Sequence, residues 1–151
     1  MSSKNKDPKN LGYEVEKNFY DYIKKCSIFD FEIKSEVQLK KQYGWAFTSI
    51  DYLLITQDGI IPIQIKYRKT RRKEDHFINN FLKSVDELRT IYDKPILFGL
   101  WISRILPFLD NQSLLQTRKV ECVSYFYDSK ILIEKSIEYI MQKMLTQTQT
   151  Q

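Results

Sequence analysis

An acid, an amide and an ammonium group interrupt two apolar stretches of this chain. Asp51 stands within Ser49-Ile50-Asp51-Tyr52-Leu53-Leu54. Thirteen positions on, Gln64 and Lys66 stand within Ile60-Ile61-Pro62-Ile63-Gln64-Ile65-Lys66-Tyr67. In a strand, Ile61, Ile63, Ile65 and Tyr67 point one way and Gln64 and Lys66 the other. Burying an unpaired polar group is unfavourable, and burying a charge more so. The two stretches flank Gln57-Asp58-Gly59, a tight-turn signal that favours positive φ. The hairpin so predicted brings Asp51 near Gln64 and Lys66. A second acid comes from the first helix, where each residue advances ~100°. Measured from Phe19, Glu16 falls about 60° away, at the edge of the apolar stripe, and Glu14 about 140° away, toward solvent. Glu16, Asp51, Gln64 and Lys66 together suit metal-assisted phosphodiester hydrolysis. Oxygen ligands hold a hard cation such as Mg²⁺. The cation polarises a phosphate and acidifies a bound water. A neighbouring lysine orients or activates that water and offsets charge in the transition state. The same pattern also describes a structural ion pair; the apolar context on both strands favours the site.

The elements that must position these groups follow from periodicity. Val15, Phe19, Tyr22, Ile23 and Cys26 mark a helix over 12–25. Residues 31–39 alternate as a strand, 40–45 read as a polar turn around Gly44, and 47–56 and 60–67 are the second and third strands. Proline is disfavoured in a central strand, so Pro62 is expected at the strand's start, before its paired segment. Phe77, Phe81, Leu82, Val85, Leu88 and Tyr92 form the apolar face of a helix over 74–92. Residues 95–103 read as a strand buried on both faces. Residues 105–117 read as a loop and one or two helical turns, 119–127 as a fifth strand, and 131–145 as a last helix. The expected fold is α/β, a mixed central sheet with an αβββαβ core flanked by helices. One domain is expected over 12–145, with tails at 1–11 and 146–151.

The 151-residue chain carries a net charge of +5, and the excess is local. Residues 1–65 are neutral, 66–73 carry +6, and 74–151 carry −1. The basic run Lys66, Arg68, Lys69, Arg71, Arg72, Lys73 has three readings: a solvated loop, a phosphate-contacting loop or a localisation signal. Its start at Lys66 favours phosphate contact. Gln38, Lys40, Lys41 and Gln42, in a first hairpin, are candidates for reading a DNA groove from a β-ribbon. Tyr43 and Trp45 are more often rim packing than base contacts. His76 reads as an exposed helix-start residue. Cys26 and Cys122 read as reduced core thiols in an intracellular protein, since no apolar leader is visible and no run approaches the ~20 residues of a membrane span. There is no Cys/His set for zinc, no Gly-rich phosphate loop and no Ser-His-Asp order.

Asp51 followed by Gln64-Ile65-Lys66 resembles the core motif of the PD-(D/E)XK nuclease superfamily. Gly12-Tyr13-Glu14-Val15-Glu16-Lys17 is similar to the acid-bearing helix of archaeal Holliday-junction resolvases, and the resemblance covers about residues 12–102. It departs at two positions: Ile50 precedes the first acid in place of Pro, and Gln64 replaces the usual Asp/Glu. The resemblance implies a restriction-endonuclease-like fold. It implies Asp51 as main metal ligand, Gln64 and the Ile65 carbonyl as further ligands, Lys66 as the catalytic lysine, and Glu16 holding the metal directly or through water. The Gln variant implies weaker metal affinity or one dominant metal. The implied activity is Mg²⁺-dependent cleavage of double-stranded DNA, with Mn²⁺ as substitute, leaving a 5′-phosphate. A homing or restriction type is favoured, with a junction resolvase as the close alternative. One site per subunit implies a homo-oligomer, dimer or tetramer, with no membrane partner. The rivals are a non-catalytic DNA-binding module on a degenerate nuclease fold and a small interaction protein with a basic loop.

Overall fold

A computed structural model describes residues 8–26, 30–44, 49–68, 70–125 and 128–149. The elements are α1 (Pro8–Lys24), β1 (Glu32–Ser35), α2 (Glu36–Tyr43), β2 (Tyr52–Ile55), β3 (Ile60–Lys66), α3 (Asp75–Tyr92), β4 (Gly99–Ser103), α4 (Leu109–Thr117), β5 (Val120–Ser124) and α5 (Ser129–Gln149). The five strands form one mixed sheet in the order β1-β2-β3-β4-β5. The first two pairings are antiparallel, the last two parallel. The α/β class and the mixed, helix-flanked sheet match the sequence expectation and are consistent with a restriction-endonuclease-like fold.

The sheet separates two apolar layers. Ile61, Ile63 and Ile65 pack on one face with Phe19 of α1 and Ile133 and Ile137 of α5. Ile60, Leu53 and Trp101 pack on the other with Leu39 of α2, Phe81 of α3 and Leu115 of α4. Both parallel crossovers, β3-α3-β4 and β4-α4-β5, thus place their helices on one face, as right-handed connections require. All five β4 residues are buried, as the apolar run predicts for a strand covered on both sides. Cys26 and Cys122 are free thiols beside opposite layers.

Several sequence expectations are corrected. The segment read as a strand running into a polar turn is a short strand followed by helix α2. Ser35 starts that helix with a reciprocal cap: its Oγ accepts from Gln38 N at 3.3 Å, and its own N–H donates to Gln38 Oε1 at 2.8 Å. Ser-x-x-Gln is the sequence signature of this cap. There is therefore no first hairpin and no β-ribbon. Residues 105–117, by contrast, form the expected loop and short helix, α4. Helix α1 begins at Pro8, earlier than expected, since proline's missing N–H is harmless in a first turn. Helix α5 continues to Gln149, beyond its last buried residue Met144. The remaining tail residues, 1–7 and 150–151, and the expected strand start at Phe47 lie outside the described residues, as does Trp45.

The hairpin between β2 and β3 exists, but not as the positive-φ turn that Asp-Gly suggests. Among the described residues only Gly44, Asp93 and Lys119 have positive φ. Thr56 organises the loop instead. Its Oγ1 donates to Gly59 O at 2.8 Å and accepts from Asp58 N and Gly59 N at 3.2 and 3.1 Å. Pro62 lies inside β3, paired with Leu53, not at its start. Ile60 spends both backbone groups on the incoming chain at Pro95 and Leu97. By alternation the nitrogen of Pro62 faces the same side, where the ladder to β4 resumes only at Ile63. Among the described residues no helix is long and apolar enough to cross a membrane.

Candidate active site

Asp51 sits at a bend just before β2 and is only 7% exposed. Its N–H donates to Ile63 O at 3.0 Å, and its Oδ2 accepts from Ile65 N at 2.7 Å. These two bonds bracket Gln64. The Asp51 carbonyl accepts from Glu36 N at 2.9 Å, which ties it to the first turn of α2. The hairpin therefore does what its turn signal predicts and carries Asp51 to the strand that bears Gln64 and Lys66.

Glu16 arrives from α1 on the other side of the sheet. Its backbone carbonyl accepts from the Tyr52 hydroxyl at 3.0 Å, which pins that turn of the helix above β2. Its carboxyl lies within hydrogen-bond reach of Asp51. Burial pushes the Asp51 carboxyl well above the usual carboxylate range. The Glu16 carboxyl adds to the rise through a hydrogen bond and like charge, and the Ile65 N–H opposes it without cancelling it. Burial, then the charges of Glu16 and Asp51, also raises the Tyr52 phenol.

Gln64 is 6% exposed, and its Oε1 has no hydrogen-bond partner among the described residues. It pairs in register with Trp101. Lys66 ends β3, with its ammonium 4.2 Å from the centroid of the Phe77 ring. Burial lowers the Lys66 pKa, while Asp51, and then Glu74 and Glu16, pull it back up. Lys66 thus senses both candidate carboxylates. Three of the four groups border two openings, and Gln64 lines neither. Glu16 and Asp51 line a cleft of about 500 Å³ with Tyr13, Tyr20, Glu36 and Tyr52. Lys66 lines a smaller pocket with Arg68, Arg71, Arg72, Glu74 and Ser103.

The proposed contact residues divide. Arg71, Arg72 and Lys73 are exposed on the segment after β3. Arg68 is held by Glu74, its Nε 2.7 Å from Glu74 Oε1. Lys69 lies outside the described residues. On α2, Lys40 pairs with Glu36 at 2.8 Å, Gln42 accepts from Lys34, and the Gln38 amide is used in the helix cap. These residues, with exposed Lys41, lie on helix α2 and not on the expected ribbon. Tyr43 packs edge-on against Tyr92, in keeping with a rim residue. His76 is exposed in the first turn of α3, as expected.

Sequence reasoning missed Glu74. It is 6% exposed, binds Arg68 through one oxygen, and leaves Oε2 without a partner among the described residues. The available signal was an acid closing a basic run at a helix start. Phe77 was misassigned to the core: it is 41% exposed, and Ile78 takes its place inside.

With this geometry in view, comparison with known proteins gives one match. The family model described as nuclease-related domain matches residues 11–126. No curated protein and no solved structure matches the chain.

Proposed function

From the premise that this chain belongs to the nuclease-related domain (NERD) family, we propose that it is a metal-dependent endonuclease acting on phosphodiester bonds of double-stranded DNA. The observation that carries the reading is Asp51: a buried carboxylate, pressed against Glu16 and bonded to β3 on both sides of an unpartnered Gln64 oxygen. A buried acceptor without a donor among the described residues, on the strand that Asp51 grips, and a pair of acids of which one is driven toward its neutral form, make a poor resting arrangement. A hard cation relieves all three. The residues present therefore fit Mg²⁺, or Mn²⁺ in its place, with Asp51, Glu16, Gln64 and the Ile65 carbonyl as the oxygen ligands. When bound, the cation supplies an acidified water and a polarised phosphate.

The chain's own groups do the rest. Lys66, partly desolvated, orients the attacking water by a hydrogen bond to its oxygen and offsets the charge that grows on the phosphate oxygens. Arg71, Arg72 and Lys73 neutralise neighbouring phosphates and fix the strand's position. One site per chain calls for a dimer or tetramer to cut both strands, with matching symmetry in the target. Within this class we favour a site-specific cutter of homing or restriction type over a junction resolvase.

A second reading, a non-catalytic binding module, draws on a specific observation. Among the described residues no group of three His, Cys, Asp or Glu side chains is placed to hold a metal. Incubating supercoiled DNA with Mg²⁺ separates the two readings. Nicking or linearisation is expected from the wild type and loss of at least a hundredfold from Asp51→Ala and Lys66→Ala, in line with general acid–base and electrostatic contributions of about 10²–10³ each. Undiminished cleavage by both variants overturns the site. Absence of cleavage together with no calorimetric Mg²⁺ or Mn²⁺ binding selects the module.

A further inference from the structure

Two aromatic rings are turned to the surface beside the Lys66 pocket. Phe77, in the first turn of α3, is 41% exposed, and Phe108, just before α4, is 39% exposed. Neither belongs to a buried apolar cluster. They come from different elements yet flank one pocket. Phe77 lies about one helical turn after Glu74, and Phe108 directly follows Pro107; Glu74 and Pro107 both line that pocket. Each ring carries cations of the basic segment. Lys66 Nζ and Arg68 Cζ stand 4.2 and 5.2 Å from the Phe77 centroid, and Arg71 Cζ stands 5.7 Å from that of Phe108.

A single exposed ring is ordinary, but two rings beside one basic pocket, each under its cations, mark a binding surface. Phosphates alone require only the cations. Paired bases are already stacked on one another and offer a ring no free face. Unpaired nucleotides need both features: charge along the backbone and a flat apolar surface for each base. We propose that the rim formed by Phe77 and Phe108 is a binding site for unpaired nucleotides next to the scissile phosphate. The duplex cut by this chain then has its bases splayed out of their pairs at that point. The location of the scissile phosphate rests on the nuclease reading; the stacking site does not.

The test measures binding without metal, so that it is independent of cleavage. Labelled probes in EDTA are a short single strand, the same strand with abasic sugars, and the blunt duplex. The abasic strand keeps every phosphate, and the wild type is expected to bind it at least tenfold more weakly than the normal strand. Phe108→Leu, which leaves the Lys66 contact alone, is expected to weaken single-strand binding about fivefold or more, as loss of one stacked base would. The duplex should lose less, and Phe108→Tyr should restore binding. Equal affinity for normal and abasic strands overturns the proposal. So do equal losses on single strand and duplex, since the rings then merely support their cations. If Lys66→Ala cuts as well as wild type while the abasic difference persists, the catalytic assignment fails and the stacking site stands.

Discussion

Asp51 is held in place by bonds to the strand that carries Gln64 and Lys66. Its two contacts with β3 restrict it to one position, while burial and Glu16 work against its charge. Such tension is common where a group is built to meet a cation or a proton. The thiols show burial acting without that purpose. Burial first, then Glu121, pushes Cys122 from 9.0 up to about 11. A thiol raised on folding adds stability below its unfolded pKa and loses it as pH climbs through the folded value. The metal-free chain should therefore weaken between pH 9 and about 11, and Cys122→Ala should flatten that part of the stability profile. Iodoacetamide should label Cys122 slowly at pH 8 and faster toward the upper end of the window, because only the thiolate reacts. Rapid labelling at pH 8 would contradict the burial argument. Residue types and alternation made Asp51, Gln64 and Lys66 legible. Glu74 was not, because an acid beside a run of bases looks the same whether it is solvated or folded under an arginine.

At the scale of elements, the β2–β3 hairpin sets the register on which the site depends. Pairing of Tyr52 with Ile63 leaves Asp51 alongside Gln64, and a slip of one residue would turn Gln64 and Lys66 to the opposite face. Gly59 helps to fix that register by close approach, not by positive φ. A Cβ there would stand 2.5 Å from Pro95 O and 2.7 Å from Leu97 Cγ. Because the first of these is backbone, Gly59→Ala should cost about 1–3 kcal/mol, the range typical of overpacking. A urea unfolding midpoint that does not move would count against this tight contact. Helix α2 was missed because alternation over 31–39 outweighed a capping box at Ser35 and Gln38. Four residues of apparent strand and two turns of helix share too few apolar positions for periodicity to decide between them. Phe77 and Ile78 are adjacent, and periodicity tolerates either as the buried position. The packing of α3 on Trp101 chose Ile78.

At the scale of the whole molecule, the charge excess lies in one segment, from the end of the central strand β3 to the start of α3. If this segment meets DNA, binding should depend steeply on salt, since each neutralised phosphate releases counterions. Replacing Arg71 and Arg72 together by Ala should make the slope of log K against log salt on duplex DNA shallower by about two. An unchanged slope would remove the segment from the interface.

By itself the sequence determined the class of fold, the strand that carries Gln64 and Lys66, the hairpin partner that carries Asp51, and the place of the charge. Alternation, a turn signal and a charge count are local, and local patterns fix local structure. The tertiary structure decided the rest: that Glu16 reaches Asp51, that Glu74 folds beneath Arg68, that α2 is a helix, and that Phe77 and Phe108 from separate elements both take up cations of the same basic segment. Glu16 and Asp51 come from segments far apart in the chain, as do the two rings. Such contacts follow from how layers pack across the sheet, which no single stretch of sequence encodes.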